Sequence, residues 1–183
     1  LSARLAQLKE SHQQEVCRLG LARDAFVRRS HQTVMNVLKK QIESVKKELL
    51  ELIRANEELK QKYDLLTSMK GVGEMVAIAL IADLPELGKA NKKEIAALVG
   101  VAPITKESGK YKGKAMTQGG RDALRKVLYM GALVASRYNE KLKAFYRRLL
   151  AKGKLKKVAL VAVMRKMIVI LNAMVQSNTV FNG

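Results

Sequence analysis

Three observations on the 183-residue sequence predict an all-α fold. Ala, Leu, Lys, Glu and Val dominate, which favours helix over sheet. A seven-residue apolar repeat runs from Met35 to Leu66. No alternating strand pattern bounded by turns appears anywhere along the chain. With 48% hydrophobic residues, the chain can bury a real core.

The first domain is read as residues 1–66, a helical arm without Pro and with Gly20 as its one breaker. Leu1, Leu5, Leu8, Val16 and Leu19 follow a loose helical pattern, which suits an arm that folds back as a hairpin. From Met35 the repeat becomes strict. Met35, Ile42, Leu49, Asn56 and Tyr63 occupy one seam position, and Leu38, Val45, Leu52, Leu59 and Leu66 the other. A period of 3.5 rather than 3.6 residues favours a coiled coil with another copy over packing on the chain's own globular part. Asn56 interrupts the seam; a polar residue there costs stability but sets register and strand number. Ile42, Leu49, Asn56 and Leu59 are therefore the candidate oligomerisation residues, in a dimer or a tetramer.

Residues 67–183 read as a compact helical domain. "MKGVGEMVAIALIADLP" is a helix end, a Gly-Val-Gly turn and a buried helix. "NKKEIAALVG" opens on Asn91 with Glu94 three residues later, a capping-box start, and Gly100 is its stop. A long loop, 103–121, follows. "RDALRKVLYMGALVASRY" is then a helix introduced by Gly119 and Gly120, "NEKLKAFYRRLLAKGK" another ending near Gly153, and "KKVALVAVMRKMIVILNAMV" the last.

Charge narrows the function. Thirty-five Lys and Arg against 16 Asp and Glu give +19, an excess that attracts a polyanion. Nucleic acid is the usual one and an anionic membrane surface the rival. The longest apolar run, from Val158 to Val175, is cut by Arg165 and Lys166, short of the roughly 20 residues of a spanning helix. Cys17 is single, so no internal disulfide forms. His12 and His31 have no partner at ligand spacing, so no metal site is expected in this chain. With no secretory signal, a reducing cytoplasm is expected, in association with the nucleoid. The chain begins at Leu1 rather than Met and is read as a piece of something longer.

Two stretches can carry function. In "KGVGE", Lys70, Gly71 and Gly73 fit a helix-hairpin-helix: glycines admit the backbone to a phosphate, and the next helix's free amides point at it. A plain interhelical turn explains the same glycines. In the loop, Lys106, Lys110, Lys112, Lys114, Arg121, Arg125 and Lys126 crowd together with only Glu107 and Asp122 against them, and Tyr111 can stack on a base. Loops this long in compact domains are usually functional or disordered. The segment is no P-loop, because Gly109 and Gly113 are spaced one residue short and Ala115 follows Lys114. Ser108 is the hydroxyl of interest. Before a Gly it serves as a turn residue; to attack phosphorus it needs cations, which the loop supplies, and a base or metal, which it does not.

Six blocks in order resemble one family: "LTSMKGVGEMVAIALIADLPELG", "IAALVGVAP", "SGKYKGKAMTQGGR", "LRKVLYMGALVASRYN", "LKAFYRRLLAKGK" and "KKVALVAVMRKMIVILNAM". Together, from about Leu65 to Met174, they resemble the carboxy-terminal domain of the insertion-sequence one-hundred-and-ten family of transposases, relatives of the Piv-type DNA invertases. The resemblance implies that Ser108 is a nucleophile that becomes joined to DNA. It implies that Gly119, Gly120 and Arg121, the family's Gly-Gly-Arg block, lie against the phosphate backbone; Gly109 and Arg125 are further candidate nucleic-acid-binding residues. A coiled coil joins this domain in the family to a RuvC-like domain whose four acidic residues bind a divalent metal, magnesium. Some members use a guide RNA that pairs with donor and target DNA. The acidic domain is absent from this sequence, so the chain alone is expected to bind nucleic acid and dimerise without cutting DNA. Two rival readings stay open: a noncatalytic nucleic-acid-binding dimerisation module with Ser108 as a turn residue, and a coiled-coil adaptor that docks an acidic protein.

Overall fold

The computed structural model describes residues 1–104, 107–108, 111–112 and 116–181; for 107–108 and 111–112 only the backbone is described. It is a helical protein divided into two compact units, Leu1–Glu57 and Glu58–Gly183.

The first unit is a helical hairpin. α1 (Ser2–Leu21) turns through residues 22–24 into α2 (Ala25–Ala55). Asp24 caps α2 by accepting from the Val27 amide at 3.0 Å, satisfying one of the free first-turn donors. Arg28 ties the turn down by donating to the carbonyls of Leu19 and Ala22. α1 lies against α2 along its length. Leu5 and Leu8 on one helix and Met35, Leu49 and Ile53 on the other are buried. Midway the seam turns polar: Glu15, itself buried, accepts from Arg18 and pairs with His31 at 2.6 Å. His12 Nε2 is enclosed there with no partner among the described residues.

The heptad stripe therefore has an intrachain partner, and it is not one continuous helix. α2 ends at Ala55, and Asn56 adopts φ −114°, ψ 117°, outside helical space. α3 (Glu57–Thr67) restarts beyond it. Asn ranks among the weaker helix formers, because its side chain competes for backbone groups, and it commonly ends helices. Past the break the stripe changes owner: Leu66 and Tyr63 join the core of the second unit. The two compact units meet at 57–58.

The second unit continues with α4 (Glu74–Asp83), α5 (Lys92–Val99), α6 (Asp122–Tyr138), α7 (Glu140–Ala151) and α8 (Lys156–Ser177). α8 is the centrepiece and packs on α5, α6 and α7, while α4 packs on α6. Its Leu160, Val163, Met164, Met167, Ile168 and Leu171 are buried with Leu80 and Leu84, Ile95, Leu128 and Leu142 from the other helices. By length and composition α8 is apolar enough to cross a membrane, contrary to the reading that Arg165 and Lys166 cut the run; half of its most apolar window is buried in the protein. Asn172, buried on α8, donates to the Ala90 carbonyl and accepts from the Gly88 amide, both at 2.8 Å. It thereby satisfies the backbone of the α4–α5 connection.

The caps follow the sequence. Asn91 and Glu94 form a reciprocal capping box on α5, and Gly100 ends that helix in the left-handed region at φ 76°. Asn139 closes α6 and accepts from the Leu142 amide to open α7.

Candidate functional site

The described residues of the loop that the sequence reading singles out form two short antiparallel strand pairs. β1 (Pro103–Ile104) pairs with β4 (Met116–Thr117), Pro103 opposite Thr117 and Ile104 opposite Met116. Further out, β2 (Glu107–Ser108) pairs with β3 (Tyr111–Lys112), Ser108 opposite Tyr111. Pro103 lacks an N–H but tolerates this position at the start of an edge strand. The backbone of Ser108 thus sits in the outermost described pair. Lys106, Gly109, Lys110 and Lys114 lie outside the described residues, as do the side chains of Ser108, Tyr111 and Lys112.

The base of the ribbon is locked by the Gly-Gly-Arg block. The Arg121 amide donates to the Leu98 carbonyl at 2.9 Å, joining the start of α6 to the end of α5. Gly120, at φ 71°, lies so close to the backbone of Val99 and Gly100 that no Cβ fits. The Arg121 guanidinium makes two bonds of 2.7 Å to Glu86. That fork, helped by a backbone hydrogen bond, holds the Glu86 carboxyl down to about 2. Arg125 donates to the Gly119 carbonyl and to Asp122, and Lys126 pairs with the other Asp122 oxygen at 2.8 Å. Lys126 and Arg125 hold the Asp122 carboxyl below the usual range. Arg121, Arg125 and Lys126 are thus already engaged within the chain.

The Gly-Val-Gly turn is likewise built around packing. Val72 is buried, as a core-seeking residue between two glycines should be. Gly71 adopts φ 108°; a Cβ there would come within 2.5 Å of the Ala135 Cβ and 2.9 Å of the Gly131 carbonyl, so α6 occupies its free side. Gly73 caps α4 and faces open space, with Glu74 in the first helical turn. Lys70 is exposed at the edge of a shallow cleft of about 450 Å³ between this turn and α6.

Of the sequence-predicted oligomerisation residues, Leu49 is buried, Ile42 and Leu59 are half-buried, and Asn56 is exposed at the helix break.

The cleft beside the ribbon base was not foreseen. It measures about 650 Å³ and is walled by Val101, Pro103, Met116 and Thr117 on one side and by Val158, Val161 and Ala162 of α8 on the other. Lys154, Lys157 and Arg165 line it. None of the three forms an ion pair with a described residue. The run "KGKLKK" carried that signal in the sequence, but it read as the end of one helix and the start of the next.

The divalent metal that the resemblance implies finds no donor set among the described residues. Among the described residues no group of three His, Cys, Asp or Glu side chains comes together. No chemical step is therefore routed through a metal on this chain.

Comparison with known proteins agrees with the blocks quoted above. Residues 63–147 match the model of the transposase IS116/IS110/IS902 family. The chain is 30% identical over 142 residues to the pilin gene-inverting protein of Moraxella lacunata, covering 74% of this chain and 43% of that protein. It is 29% identical over 140 residues to the pilin gene-inverting protein of Moraxella bovis, with the same coverage of each. An uncharacterized 43.6 kDa protein of the IS110 insertion element in Streptomyces coelicolor is 29% identical over 120 residues, covering 64% of this chain and 30% of that one. The chain spans less than half the length of these curated relatives. The matched stretch runs from α3 through β1 and β4 and the Gly-Gly-Arg latch to α7, and over it the chain is similar to the IS116/IS110/IS902 transposase family and to the pilin gene-inverting proteins.

Proposed function

We propose that this chain is the DNA-binding, serine-bearing portion of a transposase or site-specific recombinase. The second unit holds DNA through the basic ribbon, and the Ser108 hydroxyl is the nucleophile. Its oxygen attacks a phosphodiester phosphorus, a phosphoserine ester forms, and the displaced deoxyribose oxygen leaves as an alcohol, taking up a proton. Attack by the hydroxyl of a second strand reverses the step and releases Ser108. Lysines of the loop offset the charge that builds on the phosphoryl oxygens. The base and the divalent metal come from a separate acidic domain. DNA is the partner in this reading, a guide RNA is a further candidate for the same basic surface, and assembly is as a dimer or tetramer.

What supports the reading most is the ribbon itself. The Ser108 backbone pairs with that of Tyr111, inside a stretch whose sequence is rich in lysine and matches the family model. Two relatives are named for inverting a gene, and inversion is a recombination reaction.

Ser108→Ala tests it. In a polypeptide that joins this chain to an acidic metal-binding domain, the substitution is expected to abolish strand joining and leave DNA affinity nearly intact. Joining that persists with Ala at 108 removes the nucleophile and leaves a noncatalytic binding module.

A further inference from the structure

The cleft between the ribbon base and α8 combines two properties that neither a bare phosphate nor a stacked duplex needs together. Its walls are apolar: Pro103, Met116, Val158 and Val161. Met116 is 69% and Val158 52% exposed, a costly arrangement for side chains with nothing to cover. Lys154, Lys157 and Arg165 line the same cleft, and among the described residues no carboxylate does. The cations nearest the Gly-Gly-Arg latch are paired with Glu86 and Asp122, whereas these three have no ion pair among the described residues. Lys154, Lys157, Val161 and Arg165 follow one another at three- and four-residue intervals up one side of α8 and its lead-in, so cations and apolar wall share one face.

A duplex presents phosphates to such a cleft but keeps its base faces stacked inside. An unstacked nucleotide presents both an anion and a flat apolar face. The volume of about 650 Å³ suits a small-molecule-sized guest. Exposed Pro, Ile and Met side chains are also the kind that wedge between base steps and hold them apart; here Pro103, Ile104 and Met116 stand at the base of the ribbon, all exposed.

We propose that this cleft receives a single DNA nucleotide drawn out of its stack, with its base against Val158 and Met116 and its phosphate on Lys154 and Lys157. The inference rests on the reading of the chain as DNA-binding and adds where, and in what state, the strand is held. Charge complementarity selects an anionic guest, and the apolar walls select one with an exposed base.

The test uses the full chain with two probes, a short perfect duplex and the same duplex carrying one unpaired 2-aminopurine. The unpaired probe is expected to bind about tenfold more tightly, with a rise in 2-aminopurine fluorescence as the base unstacks. Val158→Trp, which fills the cleft from an exposed position, is expected to erase that preference while leaving duplex affinity unchanged. The pair Lys154→Gln and Lys157→Gln is expected to flatten the salt slope for the unpaired probe by about 1.4, from two contacts at about 0.7 each. Equal affinity for the two probes, or a preference that survives Val158→Trp, overturns the inference and leaves the broader reading standing. Tighter binding of an RNA strand, or displacement of the probe by an acidic peptide at equal affinity, also overturns it. Failure to bind either DNA probe removes the broader reading along with it.

Discussion

Gly71 shows how much one residue decides. Its φ of 108° excludes ordinary side chains, and its missing Cβ leaves room for Ala135 and the Gly131 carbonyl. Gly71→Ala is expected to cost about 2–4 kcal/mol, combining backbone strain with overpacking, measured by denaturant unfolding. The sequence alone offered a phosphate-approach glycine or a plain interhelical turn at this position; α6 is the neighbour that makes close approach necessary, and nothing local to "KGVGE" names α6. Asn172 is a second such residue. Asn172→Leu leaves the Gly88 amide and the Ala90 carbonyl without partners, and a loss of about 1–3 kcal/mol is expected in the same measurement.

At the scale of elements, what was legible was local. The capping box at Asn91 and Glu94, the stop at Gly100 and the α6 start after Gly119 and Gly120 depend on residues a few positions apart. The Glu86–Arg121 fork links residues 35 apart and was invisible for that reason. It makes the tie between the α4–α5 connection and the start of α6 sensitive to acid. Glu86 is depressed to about 2 in the folded chain, so its contribution is fully present above the ordinary glutamate range near 4.5 and is lost as the pH falls from there through about 2. Thermal unfolding followed between pH 7 and pH 2 is expected to show this loss in the parent chain and to show less of it in Glu86→Gln. The variant melts lower at pH 7, and the two chains converge at pH 2. The heptad stripe illustrates the opposite limit. A 3–4 apolar pattern says that something covers a helix, not what; the structure supplies α1 for α2, and the helix break at Asn56 hands Tyr63 and Leu66 to another core.

For the whole molecule, the all-α class was readable because composition and periodicity act over long windows. The core cluster draws on residues from Leu66 to Met174, all inside the second unit. A chain cut before Glu58 is therefore expected to keep one cooperative thermal transition and its near-native helical circular dichroism per residue. Loss of cooperativity on removing the hairpin would show that the second unit cannot stand alone. The candidate site was half legible: the basic Ser-Gly loop announced itself by charge and glycine content, whereas the cleft at its base needed the fold to bring Pro103 and Met116 beside Val158 and Arg165.

The two-pair junction of β1 and β4, together with the Leu98–Arg121 bond, fixes where the outer segment leaves the helices and where it returns. With both ends pinned, the entropy of closing that segment grows only with the logarithm of its length, about 0.6 kcal/mol per doubling. Insertions, deletions or wholesale exchange between Ile104 and Met116 should then be nearly free for the helical scaffold. Chains built this way can trade outer segments of different sizes and keep the same body, so what constrains Ser108 and the loop lysines is their chemistry and not the stability of the scaffold.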